Sequence, residues 1–361
     1  MNFSGGMAMS SALGSLAEPP MVDETQCRLV SFQASPLPRL LIVGAGWAGI
    51  TLAEEVIRSG KFLLIGFLDD KCDHLREVLV GQRYFPVLDK THSLLATAQR
   101  FQASQIALAI THHRNDKVLS GLVDCYENDV AVHQMPDLYA ALTGKIPIKH
   151  VDEFWMAPHL RAPKVDLSTM LLVSMDYMAT LILTLLVFIP ALPWVALAVK
   201  LTSPGPIFFL QKRVGYKGHP FMIFKFRTMT HRTKDVGASW TVANDARITS
   251  IGGFLRKFRI DELPQLLNVL KGDMALVGPR PEASDLVVMY RKEIPFYEYR
   301  YLVKPGITGW AQVEYRNTCS VEGALEKLQY DLYWIKYRSP WLQLKVILKT
   351  IKVTLTGFGS V

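Results

Sequence analysis

The chain has 361 residues, of which 50% are hydrophobic and 20% are charged. This balance excludes a disordered protein, a collagen-like repeat and a small disulfide scaffold, and the length predicts two domains with separate cores. Residues 1–199 contain 15 basic and 19 acidic side chains, whereas residues 200–361 contain 25 basic and 13 acidic ones. The positive second half predicts an anionic partner there, with nucleic acid, anionic lipid and a phosphorylated substrate as the candidates.

The first half predicts a leader followed by an alternating β/α domain. Residues 1–38 show no hydrophobic periodicity and are predicted to be a disordered leader without a signal peptide. Short apolar runs separated by helical segments then predict a parallel, Rossmann-like sheet over residues 39–145. The runs are Leu40–Val43, Phe62–Leu68, Gln105–Ile110 and Val130–His133. Residues 146–166, which contain prolines and mixed charge, predict a linker.

A glycine-rich turn follows the first predicted strand. Gly44, Gly46 and Gly49 have GxGxxG spacing and open the next helix, which is the context of a nucleotide-binding turn. Asp69 lies 20 residues beyond Gly49, at the end of the second predicted strand, where an acid would bind a ribose. Many folds keep this turn without a cofactor, so a bound nucleotide or nucleotide sugar and a purely structural turn both stay open.

The longest apolar stretch runs from Tyr177 to Val199, 23 residues without a charged side chain, and it is long enough to cross a bilayer. Pro190 and Pro193 lie within it and are predicted to break or kink the helix. Basic residues flank it on both sides, which places both ends on the cytoplasmic side: Lys145, Lys149, Arg161 and Lys164 before it, and Lys200, Lys212, Arg213 and Lys217 after it. We therefore predict a re-entrant helix hairpin over about residues 170–201, with a buried helix of a soluble core as the alternative.

A second membrane-associated helix is predicted near the end of the chain, from Pro340 to Leu355. Lys345, Lys349 and Lys352 are spaced to share one face of this helix, and apolar residues occupy the rest. The pattern fits a helix in the membrane interface whose lysines reach the lipid headgroups. An ordinary amphipathic helix packed on its own domain fits equally well.

Two short aromatic-rich strands are predicted after the apolar stretch, between residues 203 and 229, where proline and glycine mark the turns. Lys225 and Arg227 lie on the second of them. The spacing fits a hairpin beside the membrane, and it equally fits a hairpin whose cations face a phosphate.

The segment from residue 244 to residue 282 surrounds two adjacent carboxylates, Asp261 and Glu262, with cations. Asp261 is predicted to be a helix N-cap, with Pro264 in the first turn and Gly272 at the helix end. Nearby cations would favour the charged carboxylate and attract a diphosphate; they are Arg256, Lys257 and Arg259. Such a carboxylate can attack phosphorus, and a carboxylate pair can hold Mg²⁺.

From about Leu167 to its end, the chain resembles the bacterial sugar transferase family, and within it the monotopic polyprenyl-phosphate phosphoglycosyl transferases of exopolysaccharide biosynthesis. The matching stretches are SPGP at 203–206, KFRTM at 225–229, DELPQ at 261–265, KGDM at 271–274, VGPRP at 277–281, KPGITGWAQV at 304–313 and ALEKLQYD at 324–331. The resemblance implies a small α+β catalytic domain with interfacial amphipathic helices over residues 167–361, following the Rossmann-like domain. Ile189 stands before Pro190 where the family usually has serine, so the bend would be held differently.

The implied activity is transfer of a phosphosugar from a UDP-sugar to undecaprenyl phosphate, the initiating membrane step of exopolysaccharide or glycan biosynthesis. It would proceed through a covalent phosphosugar-aspartate intermediate with release of UMP. Asp261 would be the nucleophile and a Mg²⁺ ligand, Glu262 would assist acceptor attack or metal placement, and Arg280 would hold a substrate phosphate. The other implied substrate-binding residues are Lys225, Arg227, Asn244, Asp245, Arg247, Arg256, Arg259, Pro279 and Pro281.

The resemblance also implies a monotopic protein at the cytoplasmic face of the bacterial inner membrane, with membrane lipid as a partner. It leaves a homodimer and the identity of the sugar open. No nucleic-acid partner is expected, because the basic residues alternate with apolar segments and form no known nucleic-acid-binding motif. Two other functions stay open: a membrane-anchored NAD-dependent oxidoreductase, and a non-catalytic polysaccharide-assembly protein that kept the fold.

Overall fold

The computed structural model describes residues 37–110, 116–151, 155–156, 167–230, 245, 247–315 and 320–356. Most of the predicted leader, much of the predicted linker and Asn244 lie outside these ranges. The predicted disorder of the leader therefore stays a prediction, as does the predicted division into domains.

The first part of the described chain is a six-stranded sheet with the strand order β3-β4-β2-β1-β5-β6. Neighbouring strands are parallel except for β3 and β4, which form an antiparallel hairpin at one edge. The strands are β1 (Arg39–Val43), β2 (Leu63–Leu68), β3 (Glu77–Val80), β4 (Arg83–Asp89), β5 (Gln105–Leu108) and β6 (Ala131–Gln134). The four predicted strands and the parallel sheet are confirmed, and the edge hairpin is an addition.

Helices cover both faces of this sheet. They are α1 (Trp47–Ser59), α2 (Leu94–Arg100), α3 (Asp116–Glu127) and α4 (Met135–Thr143). Side chains of β1 alternate between the faces: Leu40 and Ile42 join the core that includes residues of α1 and α4, whereas Leu41 and Val43 join the core that includes residues of α2 and α3. A strand that is buried on both sides must be apolar throughout, which explains the uninterrupted Leu-Leu-Ile-Val run.

The apolar stretch forms α5 (Leu167–Leu183), a π-helical turn (Thr184–Phe188) and α6 (Ile189–Thr202). Within the described residues, one helical run from Thr169 to Thr202 is long and apolar enough to cross a membrane by length and composition. Ile189 keeps right-handed helical dihedral angles, with φ −63° and ψ −45°, so the backbone stays helical as it enters Pro190. Proline has no N–H, so the hydrogen bond to the carbonyl four residues earlier is missing. The wider π-helical turn before Pro190 lets the helix continue despite this missing bond.

One stripe of this helical run packs on the rest of the protein. It consists of residues spaced by four, all buried: Leu172, Asp176, Thr180, Thr184 and Phe188. The Asp176 carboxylate accepts hydrogen bonds from Gln343 Nε2 (2.8 Å) and from the backbone N–H groups of Leu276 and Val277. Most large apolar side chains on the other faces of the run are exposed. A soluble core helix would not leave such a surface uncovered.

The second part of the chain is a small α+β assembly. Its strands are β7 (Phe208–Val214) and β8 (Pro220–Phe226), which form an antiparallel hairpin, and β9 (Ala275–Val277) and β10 (Gly306–Thr308), which are parallel. Its helices are α7 (Ser250–Lys257), α8 (Gln265–Lys271), α9 (Ser284–Glu293), α10 (Trp310–Glu314), α11 (Val321–Tyr337) and α12 (Pro340–Thr356). The predicted aromatic hairpin is confirmed. The apolar core of this part also includes Ile146, Ile148, Trp155 and Met156 from the predicted linker.

The predicted helix near the end of the chain is confirmed as α12. Of the two interpretations of its lysine face, the contacts of Lys345 and Lys349 fit packing on the protein, whereas Lys352 is exposed. The ammonium groups of Lys345 and Lys349 lie 5.2 and 5.0 Å from the centre of the Trp310 ring, and Lys349 also pairs with Glu314. These two cations contact the protein because the ring of Trp310 and the carboxylate of Glu314 are available there. The exposed side of α12 carries an apolar stripe formed by Trp341, Leu344, Leu348 and Ile351, and Lys345 and Lys352 are exposed as well.

Candidate active site

Strand β8 and helix α8 form the frame of the site. Asn268 of α8 is fully buried; its Oδ1 accepts a hydrogen bond from Phe224 N (3.0 Å), and its Nδ2 donates to Met222 O (2.8 Å). One side chain therefore satisfies two main-chain groups of β8. These two hydrogen bonds hold β8 and α8 together. They thereby place Lys225, which lies on β8, near Asp261 and Glu262, which directly precede α8.

Replacing Asn268 with leucine is expected to lower the free energy of unfolding by about 2–4 kcal/mol, because two buried main-chain groups lose their partners. Chemical denaturation of the detergent-solubilised protein measures the change. Asn128→Ala is the matched control, since Asn128 also donates to a main-chain carbonyl but in an exposed position. We expect less than about 0.5 kcal/mol there. Equal effects of the two substitutions would contradict the assigned role of Asn268.

Asp261 and Glu262 lie in a 3-10 turn (Ile260–Glu262), and the predicted N-cap role of Asp261 is wrong. Helix α8 begins after Pro264, which offers no side-chain cap. The chain enters the turn through Arg259, whose φ of +54° lies in the left-handed region, so the path reverses before a helix can start. The predicted helix end at Gly272 is confirmed, with φ +91°. Asp261 is thus not engaged in capping.

Glu262 is held by cations from three elements. Its Oε1 lies 3.1 Å from Lys225 Nζ and accepts a hydrogen bond from Arg280 Nη2, and its Oε2 lies 3.4 Å from Arg280 Nη1. Arg259 Nη1 is 4.0 Å from the same Oε2. Burial alone would raise the pKa of Glu262, but Arg280 and then Lys225 hold that pKa well below its usual range. Glu262 is therefore a permanent anion around which the cations are arranged.

Asp261 is equally buried, with 7% of its surface exposed, but it is not clasped in this way. Within the described residues, no hydrogen bond or ion pair engages its carboxylate. Burial and then the adjacent charge of Glu262 raise the pKa of Asp261 to about 6, although Lys225, Arg256 and Arg280 act to lower it. The site thus holds two unlike carboxylates. The negative charge of Glu262 is balanced by ion pairs with cations, whereas the carboxylate of Asp261 is available to a ligand, so the two residues can have different chemical roles.

The donor set at Asp261 suits a hard divalent cation that also binds substrate. Its unengaged oxygen atoms are the ligand type that Mg²⁺ prefers, and Mg²⁺ in proteins commonly takes one or two carboxylates together with substrate phosphates. Among the described residues, no group of three His, Cys, Asp or Glu side chains is placed to hold a metal. The residues therefore fit a cation shared with a phosphorylated substrate better than a cage made by the protein alone.

Several predicted substrate-binding residues lie around this pair. Arg256 contributes positive potential at Asp261 and is held by a hydrogen bond from its Nε to Thr228 Oγ1 (2.9 Å). Asp245 and Arg247 pair with each other, with Arg247 Nη2 2.5 Å from Asp245 Oδ2. Hydrogen bonds from the side chain and then from the backbone N–H of Arg247 lower the pKa of Asp245 to about 2. Substrate contacts of these residues stay predictions, and Asn244 lies outside the described residues.

Arg227 differs from the other predicted residues because its guanidinium faces the protein. It is buried, and it donates hydrogen bonds to the main-chain oxygens of Ser203 (2.7 Å) and Pro204 (3.1 Å) at the end of α6. These bonds connect the end of the apolar helix to the residue that directly follows the β7–β8 hairpin. A substrate contact by Arg227 stays a prediction, and the structure gives this residue an architectural use.

Pro279 and Pro281 flank Arg280, and main-chain contacts hold the loop that they form. Gly306 N donates to Pro279 O (2.9 Å), and Arg213 Nη1 donates to Pro281 O (3.0 Å). Arg213, Asn268 and Arg300 also hold the site, although none of them was predicted as a site residue from the sequence. Arg213 and Arg300 stand outside the charged segment around Asp261, and they reach the Arg280 loop through its main-chain carbonyls, which leave no signal in the sequence.

The glycine turn of the first part brings together the four residues predicted there. A side chain at Gly49 would collide with the carbonyl oxygen of Gly44, and Gly44 itself has φ +106°. Asp69 Oδ2 accepts a hydrogen bond from Ala45 N (2.8 Å), and its Oδ1 accepts one from Lys71 N (2.9 Å). Close packing of strand, turn and helix explains Gly44 and Gly49 without a ligand, whereas a Cβ at Gly46 would have no neighbour within 4 Å among the described residues. Nucleotide binding by Gly44, Gly46, Gly49 and Asp69 stays a prediction.

Comparison with known proteins gives the class to which this architecture belongs. The family model described as bacterial sugar transferase matches residues 167–357, which is more than half of the chain. The chain belongs to this family, and the membership predicted from the sequence is confirmed.

Relatives give the activities found in the family. The chain is 41% identical over 239 residues to the UDP-N-acetylgalactosamine-undecaprenyl-phosphate N-acetylgalactosaminephosphotransferase of Aeromonas hydrophila, covering 66% of this chain and 56% of that protein. It is 34% identical over 365 residues to the UDP-glucose:undecaprenyl-phosphate glucose-1-phosphate transferase of Xanthomonas campestris pv. campestris, covering 85% and 73%. A protein of the same description from Escherichia coli K12 is 44% identical over 176 residues, covering 48% and 38%. The chain thus spans less than two thirds of the Aeromonas and Escherichia relatives.

Proposed function

We propose that this protein transfers a phosphosugar from a UDP-sugar to undecaprenyl phosphate, as the initiating membrane step of exopolysaccharide or glycan assembly. The observation that carries the proposal is the pair of unlike carboxylates: Glu262 is saturated by Lys225 and Arg280, whereas Asp261 is buried and unengaged among cations. The names of the relatives support the same reaction class. They do not favour an oxidoreductase or a non-catalytic protein.

In the first step, an Asp261 carboxylate oxygen attacks the phosphorus that carries the sugar. The bond from that phosphorus to the bridging oxygen breaks, and UMP leaves with the bridging oxygen and the electron pair. An acyl phosphate then links the sugar phosphate to Asp261. The negative charge of Asp261 is consumed and reappears on UMP, so this step needs no proton donor.

In the second step, a phosphate oxygen of undecaprenyl phosphate attacks the same phosphorus. The acyl phosphate bond breaks, the Asp261 carboxylate is regenerated, and the product is an undecaprenyl diphosphate sugar. The acceptor enters as an anion, so no base is required. This agrees with Glu262, whose low pKa makes it unsuited to carrying a proton near neutral pH. Its use is to position Lys225 and Arg280, which stabilise charge on the transferring phosphoryl group.

Mg²⁺, when bound, would be held by Asp261 together with the substrate diphosphate and would neutralise charge that develops on the phosphates. The protein contributes the remaining electrostatic stabilisation through Lys225, Arg280 and Arg256. It also excludes water from Asp261 by burial, which protects the acyl phosphate from hydrolysis.

We place the protein at the cytoplasmic face of the bacterial inner membrane, with the α5–α6 run as a re-entrant membrane element. Both arms contact the catalytic part, α5 at β9 and α6 at α7, which supports a location of both ends on the same side. The exposed apolar residues of the run and of α12 form two surfaces suited to lipid. This membrane location would bring the phosphate of a membrane-embedded polyprenyl phosphate to a catalytic domain in the cytoplasm.

The rate of the first step is expected to fall tenfold for each pH unit below about 6, because attack requires ionised Asp261, whose pKa is raised to about 6. An unperturbed aspartate would stay ionised to near pH 4, so its rate would be flat over this range. UMP release from pH 5 to pH 8 measures the profile. In Glu262→Gln the fall should move to lower pH, because a neighbouring negative charge is removed. A flat wild-type profile down to pH 5 would contradict a raised pKa of Asp261 in the enzyme that carries Mg²⁺ and substrate.

UMP release from a panel of UDP-sugars tests the function directly. Full-length protein in detergent is given Mg²⁺ and UDP-glucose, UDP-galactose or their N-acetylated counterparts, with and without undecaprenyl phosphate. We expect one donor to be preferred, with sustained UMP release only when the acceptor is present. If folded protein in detergent with lipid releases no UMP from any donor, the proposed function is wrong.

A further inference from the structure

Two arginines, the buried Arg300 and the partly buried Arg213, hold the main chain of the loop that carries Arg280. Arg300 Nη2 donates a hydrogen bond to the Arg280 carbonyl oxygen (2.8 Å), and Arg213 Nη1 donates to the Pro281 carbonyl oxygen (3.0 Å). Arg300 is 5% exposed and comes from the 3-10 helix Tyr297–Leu302, which lies outside the segment around Asp261. The loop is thus fixed through its backbone by side chains from other elements.

Arg300 is itself fixed by two further contacts. Its Nη2 also pairs with Asp331 Oδ2 of α11 (2.9 Å), and its Nη1 donates to the hydroxyl of Tyr297 (2.6 Å). Asp331 is 2% exposed. An ion pair this deeply buried adds little net stability compared with apolar residues of the same size, because both charges lose their hydration. A positional role explains better why a charged pair occupies this place.

We propose that Arg300, oriented by Asp331, is a positioning residue that sets where the Arg280 guanidinium meets Glu262. The connection runs from Asp331 to Arg300, from Arg300 to the Arg280 carbonyl, and from the Arg280 side chain to Glu262. This inference rests on the proposed function for its kinetic consequence. Its structural consequence, a loop ordered by Arg300, is independent of that function.

The Arg300→Lys substitution tests whether the geometry of the Arg300 side chain matters separately from its positive charge. Lysine keeps the positive charge beside Asp331 but lacks the planar fork that reaches Asp331, Tyr297 and the Arg280 carbonyl together. The loop is then free to shift, and a displacement of about 1 Å in a catalytic group can lower a rate by about 100-fold. We expect Arg300→Lys to lower kcat for UMP release by about 30- to 100-fold, with KM changed less than about threefold.

A double-mutant cycle with Arg280→Lys tests whether Arg300 acts through Arg280. If it does, adding Arg300→Lys to Arg280→Lys lowers kcat by less than about threefold further, because the group being positioned is already altered. Asp331→Asn, a milder change that retains the shape of the side chain, should show a smaller loss with the same non-additivity. Arg291→Lys is the control: Arg291 pairs with Glu298 at the surface and, among the described residues, forms no hydrogen bond with the loop. Multiplicative losses across the cycle would overturn the proposal.

Hydrogen–deuterium exchange of the full-length protein gives a readout that does not depend on catalysis. Peptides covering residues 276–283 should exchange faster in Arg300→Lys and Asp331→Asn than in wild type, while Arg291→Lys matches wild type. Unchanged exchange in both variants would show that Arg300 does not order the loop. Failure of wild type to release UMP would instead count against the proposed function, and the exchange result would still decide the role of Arg300.

Discussion

Asp261→Asn is expected to abolish UMP release, with a loss of at least about 10³-fold that the acceptor does not rescue. Asparagine has the same shape but cannot form the acyl phosphate, so the first step has no nucleophile. UMP formation in a single turnover measures the loss. Activity within tenfold of wild type would contradict the assignment of Asp261.

The same variant should fold at least as well as wild type. Because the pKa of Asp261 is raised from its ordinary value to about 6, its charged form is disfavoured in the folded protein, and this cost is fully present above pH 6. A neutral asparagine removes the cost, on the order of 1–3 kcal/mol at pH 8. A thermal unfolding midpoint equal to or above that of wild type would show that lost activity comes from lost chemistry, whereas a lower midpoint would point to misfolding.

Arg280→Ala is expected to lower kcat for UMP release by about 10²- to 10³-fold, the cost of removing one preorganised group from a developing anion. Arg280 is also the main partner of Glu262, so its loss leaves that buried carboxylate to Lys225 and Arg259. Arg280→Lys should recover part of the rate, because lysine restores charge without the two-point contact. Single-turnover assays at saturating donor separate this effect from weaker substrate binding.

Arg291→Ala provides the control for general loss of positive charge, since its ion pair with Glu298 is exposed. We expect its kcat to stay within twofold of wild type. If the kcat of Arg280→Ala stays within threefold of wild type, the ion pairs of Glu262 with Arg280 and Lys225 have only a structural role.

Much of the fold could be predicted because its pattern is local. The apolar run of β1, the aromatic hairpin of β7 and β8, and α12 all follow from neighbouring residues in the sequence. The π turn before Pro190 could not be predicted, because a proline within an apolar helix is compatible with a break, a kink or a wider turn.

The arrangement of the candidate site was also predicted only where it depends on residues that are close in the sequence. Asp261 and its nearby cations share one segment, so their proximity is visible in the sequence. The N-cap prediction failed because it assumed that the helix starts at Asp261, whereas a left-handed Arg259 and a 3-10 turn delay the start to Gln265. The pair of Arg300 and Asp331 joins positions 31 residues apart, and only the folded chain brings them together.

The orientation of the lysines on α12 shows the same limit. Helical spacing correctly places Lys345 and Lys349 on one face, but it does not say what that face meets. Trp310 and Glu314 of α10 provide the partner surface, and they turn the apolar stripe outward. The partner of a helix face is a tertiary property that periodicity alone cannot supply.

The most direct test of the account is to trap the phosphosugar on Asp261. Full-length protein in detergent is mixed with the preferred UDP-sugar and Mg²⁺ in the absence of acceptor, quenched in acid, digested and analysed by mass spectrometry. We predict one hexose phosphate or N-acetylhexosamine phosphate on the peptide that contains Asp261, absent from Asp261→Asn and lost on addition of undecaprenyl phosphate. Rapid UMP release with no adduct on that peptide, or with the adduct on another residue, would contradict the covalent role of Asp261.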